Sequence, residues 1–417
     1  MLRGPALYKM AWRNLWRNRR RTIITLSSLA FGVLTAVSFT ALTDQSLGDA
    51  IDLAARMSNG HVTIEQKDYR DSPSLERTVT GDAAMRARIA ADRDVVKVVP
   101  RISGQLVVAT ATDSFGAGFV ALDPTLDDER SFAPLGQISE GKLFAAGDAQ
   151  GIVLGKTLAK NLGAALGKKV VYTLTDKHGE IVSGLGRVRG IVATGSPSAD
   201  AALCLLPIGA VRSLIGYGPD EATQLAVYLR DQRRSAEVAQ RLGALVPPGT
   251  VALGWAQVNP DLAGFVTVKV IGSEVIEIFV ILLIAAGIFN TLFVSVMERL
   301  REFGILLAIG FSPGRLFRLV LWESLWLALV GLVVGVIVTA PLYHYMHVHG
   351  IDMTARVGTN RVEIAGALMP MVVHATIYTD HAIVIAIAIV AVTMLSGLYP
   401  AWRAARVQPV DAIKLGY

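Results

Sequence analysis

Residues able to carry chemistry occur in this sequence at five places, and each place implies a different event. Gly151-Ile-Val-Leu-Gly155-Lys156-Thr157 has the composition of a phosphate-cradling loop. Its spacing is one residue short of G-x-x-x-x-G-K-[ST], and it reads better as a strand, Ile152–Leu154, leading into a short helix, Thr157–Leu162. His344, His347 and His349, with Met346 and Met353 nearby, have the chemistry to bind copper or zinc. The plainer reading is interfacial side chains beside tyrosines, and no metal site is expected. Glu274 and Glu277, at i and i+3, suit a proton relay or a solvated pair at a membrane boundary, and the second reading is preferred. Glu323 lies inside an apolar run, where a carboxylate marks either function or a packing hydrogen bond. Glu298-Arg-Leu-Arg-Glu302 opens a short charged helix that a partner could push. There is no G-x-S-x-G and no H-E-x-x-H, so no catalytic residue is expected. The single cysteine, Cys204, excludes an intrachain disulfide and any multi-cysteine metal site.

The elements that must position these residues are set by hydrophobicity. Of the 417 residues, 52% are hydrophobic and only 18% charged, where a soluble chain carries about 25% charged residues. The surplus sits in four blocks, each long enough for a hydrocarbon core of ~30 Å. They are residues 22–42, 266–297, 319–342 and 382–402. The first block is longer than a signal-peptide core of about 7–15 residues, which favours a retained span. The second, from Phe265 to Met297, would be about 50 Å long as a helix. Its surplus length predicts a stalk outside the bilayer and puts Glu274 and Glu277 near the outer boundary.

Charge placement gives the orientation. Residues 1–21, the loop 298–318 and the tail 403–417 together hold fourteen Lys and Arg against Glu298, Glu302 and Asp411. The segment 343–381 holds only Arg356 and Arg361. By the positive-inside rule, both termini are expected in the cytoplasm. The external insertion is balanced, with 23 basic and 25 acidic residues over 44–268. The net charge of +6 therefore belongs to the cytoplasmic rim, and nucleic acid is not an expected partner.

Residues 43–265 form that one external domain. Strand patterns at His61–Glu65, Val95–Pro100 and Leu106–Ala111, with a helix at Asp82–Ala91, make one half. Thr223–Leu229, a helix at Ser235–Leu245 and Val251–Trp255 make the other. Two such halves predict a split ferredoxin-like lobe, with residues 113–215 inserted as a second, β-rich lobe. The fold class is thus a membrane protein of four transmembrane α-helices, with a large α+β extracytoplasmic domain between the first two. Residues 298–315 form a cytoplasmic helix with Leu300, Phe303, Leu306, Leu307 and Phe311 at helical spacing, stopped at Ser312-Pro313-Gly314. It either docks a partner or lies on the lipid surface. Arg13, Arg17, Arg19, Arg20 and Arg21 are expected mainly to hold anionic lipid headgroups, and secondarily to brace a cytoplasmic partner. Gly32-x-x-x-Ala36 and Gly331-x-x-x-Gly335 permit close helix packing, either within the chain or at a dimer seam.

Several stretches, in order, resemble the FtsX-like/MacB-like ABC transporter permease family. Ala11-Trp-Arg-Asn-Leu-Trp-Arg-Asn-Arg-Arg-Arg21 resembles its amphipathic start, and Gly155–Val171 resembles an element of its external domain. Glu298-Arg-Leu-Arg-Glu-Phe-Gly-Ile-Leu-Leu-Ala-Ile-Gly310 resembles its cytoplasmic segment "ERxREIGxLxAxG", the most specific of the signals. Trp322-Glu-Ser-Leu with Gly331 and Gly335 resembles its third span, and Tyr399-Pro-Ala-Trp-Arg-Ala-Ala-Arg-Val-Gln-Pro409 its closing stretch. Phe303 stands where isoleucine is usual, and Phe311-Ser-Pro-Gly replaces a more basic turn. Gly60-His-Val-Thr-Ile-Glu, Gly350-Ile-Asp and Ile377-Tyr lean toward the lipoprotein-releasing branch.

The resemblance implies a bacterial inner-membrane, multi-pass permease that is not itself an enzyme. It implies a dimer with a second copy or paralogue, working with a cytoplasmic ABC ATPase dimer that binds the ATP and magnesium. This chain would bind no cofactor. Glu298, Arg299, Arg301, Glu302, Phe303, Gly304, Leu306 and Gly310 would form the coupling helix. ATP-driven motion would pass through the stalk to the external domain by mechanotransmission and extrude a lipoprotein or other lipid-anchored or amphipathic substrate. A periplasmic acceptor is a further expected partner. A peptide or drug exporter resembling MacB, and a non-transporting regulator of envelope enzymes resembling FtsX, are the alternatives.

Overall fold

The computed structural model describes residues 5–57, 59–353, 363–364, 367–368 and 372–407. Arg3, Arg356, Arg361 and the tail from 408, with Asp411 and Lys414, lie outside the described residues. The chain begins with α1 (Pro5–Arg17) and α2 (Arg19–Met57). It continues through β1 (Val62–Gln66), β2 (Val79–Thr80), α3 (Ala83–Ala90), β3 (Val95–Ala109), β4 (Ser114–Leu122) and β5 (Ile138–Gly141). Then come β6 (Gly151–Gly155), α4 (Lys156–Asn161), β7 (Lys169–Thr175), β8 (Ile181–Val192), α5 (Pro197–Ala202), β9 (Leu203–Pro207) and α6 (Ile208–Ile215). β10 (Glu221–Ala222), β11 (Gln224–Leu229), α7 (Ser235–Gly243), β12 (Thr250–Gly254) and α8 (Trp255–Val258) complete this part. Four helices follow: α9 (Pro260–Glu298), α10 (Leu300–Ala308), α11 (Pro313–His349) and α12 (Thr379–Ala405). The described residues form two compact units, one from 5–46, 268–353 and 372–407, the other built mainly from 47–57 and 59–267.

The second unit is organised by one sheet of ten strands, in the order β12-β1-β11-β3-β4-β9-β6-β8-β5, with β7 pairing β3 and β8. Each of its first four strands is antiparallel to its neighbour. With α3 after β1 and α7 after β11, this is the ferredoxin-like arrangement, split by everything between β3 and β11. Met85 and Ile89 of α3, and Val238, Ala239 and Leu242 of α7, lie at helical spacing and bury against Val62, Ile64, Val98, Leu225 and Val227. The inserted lobe has its own core, centred on Ile102, Phe119, Ile152, Leu154, Tyr172, Leu206 and Val211. The loop-like 151–157 stretch is β6 running into α4, and Gly155 is pressed on the backbone of Asp200, so no phosphate cradle opens there.

The expectation of two strands at 95–100 and 106–111 is corrected to a single one. β3 runs unbroken because β11 pairs it as far as Arg101 and β4 takes over from Ile102. Arg101 passes through the interior at this handover, fully buried, 2.7 Å from Asp127 and stacked 4.6 Å from the Phe132 ring centre.

In the first unit, α2, α9, α11 and α12 are each long and apolar enough to span a bilayer. The helices run beyond the apolar spans they contain, and one boundary, at 308–315, differs from expectation. α2 continues past 42 to Met57, because hydropathy reports lipid contact and not helicity. Its extension instead buries Ala50, Ile51 and Ala54 and pairs Arg56 with Asp52 at 2.8 Å. The helix placed over 298–315 ends at Ala308, where Gly310 turns with a φ of +93°. Ser312 and Pro313 then start α11 rather than stop α10, since proline at the first helical position lacks only an N–H that would be unpaired there. α11 also runs past 342 to His349, carrying the three clustered histidines on its last two turns.

Candidate functional site

α10 is joined to the end of α9 through Arg299, the one residue between them. Its inner face carries Phe303, fully buried with Ala11, Val296, Leu316, Leu319, Val320, Ala401 and Ala404, and the buried Gly304. Leu306 is half-buried against the same cluster. Its outer face presents Arg301, Ile305, Ala308 and Ile309, with Ile309 75% exposed, and Gly310 is exposed beyond it. The helix is therefore fixed on one side and bare on the other.

A charged network fixes it further. Arg299 donates to both oxygens of Glu323 at 3.2 and 3.0 Å and to Glu302 at 3.3 Å, with its guanidinium 5.1 Å from the Phe303 ring centre. Asn14 Nδ2 donates to Glu323 at 2.6 Å. Arg17 pairs with Glu302 at 2.5 Å. Arg21 pairs with Glu298 at 2.9 Å and donates to the Thr291 carbonyl at 3.3 Å. These groups line a cavity of about 390 Å³ between α1, α2, α9, α10 and α11. Burial pushes the Glu302 carboxyl up, but hydrogen bonds from Arg17 and Arg299, and their charge, outweigh it and hold the group below the ordinary carboxylate range. Glu323 thus makes the packing hydrogen bonds that were one of its two readings.

The basic stretch that opens the chain also makes ion pairs within it. Arg17 at the end of α1 and Arg21 on α2 reach Glu302 and Glu298, because the end of α9 and the start of α10 bring carboxylates within reach. Arg13, Arg19 and Arg20 are exposed and have no carboxylate partner among the described residues. α1 is also held by aromatic packing: Trp12 lies 5.0 Å from Trp326, and Trp326 donates to the Tyr8 carbonyl at 3.2 Å.

The glycines pack within the chain. A β-carbon at Gly331 or Gly335 would stand 2.5 Å from Leu29 or Val33, and one at Gly32 would stand 2.8 Å from Ile284. Ala36 is half-buried on the same helix as Gly32. At the far end of the unit, His381 pairs with Asp44 at 2.8 Å, and Thr40 donates to Glu277 at 2.8 Å. His347 stacks on Tyr343 and His349 on Tyr345. No group of three or more metal-ligating side chains occurs among the described residues. Sequence reading missed Asn14, Asp44 and His381, since nothing local links residue 14 to 323 or 44 to 381.

Comparison with known proteins assigns this architecture. Residues 22–245 match the MacB-like periplasmic core domain, and residues 275–409 match the FtsX-like permease C-terminal family. The chain belongs to the FtsX-like/MacB-like family. It is an ABC transporter permease of the FtsX, MacB and LolC type. The lipoprotein-releasing system transmembrane protein LolC of Xylella fastidiosa is 25% identical over 281 residues, covering 63% of this permease and 64% of LolC. The macrolide export ATP-binding/permease protein MacB of Nitrobacter winogradskyi is 23% identical, covering 96% of this permease and 58% of MacB. The pyoverdine export ATP-binding/permease protein PvdT of Pseudomonas entomophila is 24% identical, covering 97% of this permease and 58% of PvdT. The permease thus spans less than two thirds of the length of each of these relatives. Among solved structures, the periplasmic region of MacB from Actinobacillus actinomycetemcomitans covers 51% of the permease and 96% of that chain, at 17% identity and a TM-score of 0.35. The extracellular domain of the transporter YknZ covers 46% and 99%, at 11% identity and 0.34. Scores this low carry no weight in the fold assignment, which rests on the strand order.

Proposed function

We propose that this permease couples ATP hydrolysis by a separate cytoplasmic ATPase to movement of its external domain, driving a lipid-anchored or amphipathic substrate, such as a lipoprotein, out of the inner membrane. The observation that carries the reading is the two-sidedness of α10. Its buried face is bolted through Phe303 and Arg299 to α9 and α11, while Arg301, Ile305, Ala308 and Ile309 remain open to a partner. A push on the open face is transmitted because the other face cannot slip. α2 and α9, each 39 residues and about 58 Å long at 1.5 Å per residue, carry the displacement as continuous helices. ATP binding and hydrolysis belong, in this reading, to the cytoplasmic ATPase that α10 contacts. Both termini are placed on the cytoplasmic side with α10, and the active assembly is a dimer of permeases on a dimer of ATPases.

Coverage favours a second reading, export of a small molecule. MacB and PvdT align with 96% and 97% of the chain, and LolC with 63%. The lipid-anchored substrate is preferred on the sequence resemblances near Gly60, Gly350 and Ile377.

The test is co-purification and stimulated ATPase activity with the candidate ATPase co-expressed, comparing wild type with Ile309→Asp and Arg301→Glu. Neither residue has a packing role, so the variants should fold normally and lose both association and stimulation. A wild-type permease that never binds an ATPase would overturn the coupling role itself. Normal activity in both variants would move the docking face elsewhere.

A further inference from the structure

His61 follows the turn that ends α2, and only 3% of it is exposed. Its backbone joins two parts of the external unit. The N–H donates to the Val227 carbonyl of β11 at 2.9 Å, and the carbonyl accepts the Trp255 N–H at the start of α8, also at 2.9 Å. Its ring joins β11 a second time, since Nδ1 accepts the Leu229 N–H at 3.1 Å. The turn before it is closed by Gly60, which donates to the Ala55 carbonyl of α2 at 2.9 Å and holds a φ of +82° against the Val227 backbone. One residue thus bonds a central strand of the ferredoxin-like lobe to the segment that leads through α8 to α9.

The fourth contact of His61 differs from these. An imidazole whose Nδ1 accepts a backbone N–H carries its proton on Nε2 when neutral. That Nε2 is buried, and it stands 3.4 Å from Asp52 Oδ1 on α2 without completing a hydrogen bond among the described residues. Asp52 is meanwhile paired with Arg56, one turn further along α2, at 2.8 Å. Both of those side chains are partly exposed, so the carboxylate stays solvated and paired when it shifts. Breaking a bond to Val227, Leu229 or Trp255 would instead leave a buried polar group unpaired. Only the contact with α2 can open or close at little cost, and a fraction of an ångström is enough to do it. On its other side the ring stands edge-on to Tyr228, with centres 6.1 Å apart, and Tyr228 covers the buried Arg101. Arg70 makes a separate tie, from Glu65 of β1 at 3.0 Å to the Val258 carbonyl of α8 at 2.7 Å. α8 is therefore still anchored when His61 is changed.

We propose that His61 is the positioning residue through which displacement of α2 enters the external sheet. The contact of Nε2–H with Asp52 is its working part, and the bonds to Val227, Leu229 and Trp255 are its fixed part. A shift of α2 felt at Nε2 is delivered to β11 and to the start of α8 together, because one side chain and its own backbone hold both. The inference rests on the coupling role proposed above and names where that coupling passes into the external unit.

The test is hydrogen-exchange mass spectrometry of the full-length permease bound to its ATPase in lipid nanodiscs, with and without trapping by ADP and vanadate. In wild type, trapping should change exchange at the end of α2, residues 47–57, and also in β1 and β11. His61→Asn places an oxygen where Nδ1 stands, so it keeps the Leu229 bond, but it has no atom at the Nε2 position. Asp52→Ala leaves every bond of His61 to the sheet intact. Both variants should keep the change in residues 47–57 and lose it in β1 and β11. His61→Gln, whose amide nitrogen takes the place of Nε2, and Asp52→Asn, which keeps an acceptor, should restore it. A trapping response in β1 and β11 that survives Asp52→Ala would overturn the proposal. So would a His61→Gln variant that behaves like His61→Asn, since the histidine would then serve the sheet alone. A wild type that responds to trapping nowhere would overturn the coupling role itself, whereas a response confined to residues 47–57 would overturn only the assignment of His61.

Discussion

Two charged clusters in this permease use the same chemistry for opposite ends. In the external unit, Arg101 and Asp127 form an ion pair sealed from solvent, covered by Phe132 and Tyr228, with a further bond from Arg101 to the Ser131 carbonyl at 3.0 Å. In the helical unit, Arg17, Glu302, Arg299 and Glu323 form a chain of pairs open to solvent at one end and closed at the other. Arg17 and Glu302 are each about half exposed, and Glu323 is nearly closed off. A sealed pair holds its place because neither member can be solvated alone. The exposed end of the chain of pairs, Arg17 with Glu302, contributes little stability and can exchange partners as helices shift, while Arg299 and Glu323 stay paired at the closed end. The first suits a fixed joint between two lobes, and the second a joint that must pass on a displacement.

The largest expected effect is at the sealed pair. Arg101→Met strands a buried carboxylate and should cost about 3–5 kcal/mol, whereas replacing both members, Arg101→Met with Asp127→Leu, should recover most of it. Denaturant unfolding of the full chain, read by hydrogen exchange in β3 and β11, checks this. A mild effect from the single change would remove the contrast with the open cluster.

An intermediate case sharpens the comparison. Arg241 bridges Asp92 at 2.9 Å and Asp94 at 2.7 Å on the rim of the ferredoxin-like lobe. Its hydrogen bond is the main cause holding the Asp92 carboxyl below the ordinary aspartate range. A depressed folded-state value stabilises the fold above the unfolded pKa of about 3.9 and loses that contribution as the pH falls through the folded value. The stability difference between wild type and Arg241→Ala should therefore be full at neutral pH and close below pH ~4. Thermal unfolding measured across that range tests it, and a difference independent of pH would mean the arginine acts by packing alone.

The smallest effect on stability is expected in the open cluster. Arg17→Glu or Glu302→Arg should each change stability by no more than about 1 kcal/mol. Hydrogen exchange in residues 5–17 should nevertheless rise in each single variant and return toward wild type in the double swap. Exchange unchanged by either single variant would show that α1 is held by its aromatic contacts with α11, and the pair would then have no part in positioning α10.

The legible and illegible parts of this molecule separate along the same lines. The four spans were readable because a bilayer imposes a length on apolar runs. The ferredoxin-like halves were readable because β1, α3, β11 and α7 each carry a local period. The chain's course through residues 43–57 was not readable, since a helix leaving lipid loses its hydropathy signal while keeping its backbone bonds. The start of α11 was misread for a related reason: Ser312-Pro313 can end one helix or begin another, and only packing chooses. Of the candidate site, a short helix with apolar residues on one face was legible, and the partners of Arg17, Arg21 and Glu323 were not.

Legible in the linear order, therefore, were the local elements, the clustering of Lys and Arg at residues 1–21, 298–318 and 403–417, and the family the chain resembles. Each follows from composition or from short-range order. The tertiary structure alone decided which charges meet. Asn14 finds Glu323 across 309 positions and Asp44 finds His381 across 337. A hydrogen bond spans about 3 Å in space and is indifferent to distance along the chain, so no pattern in the linear order records it.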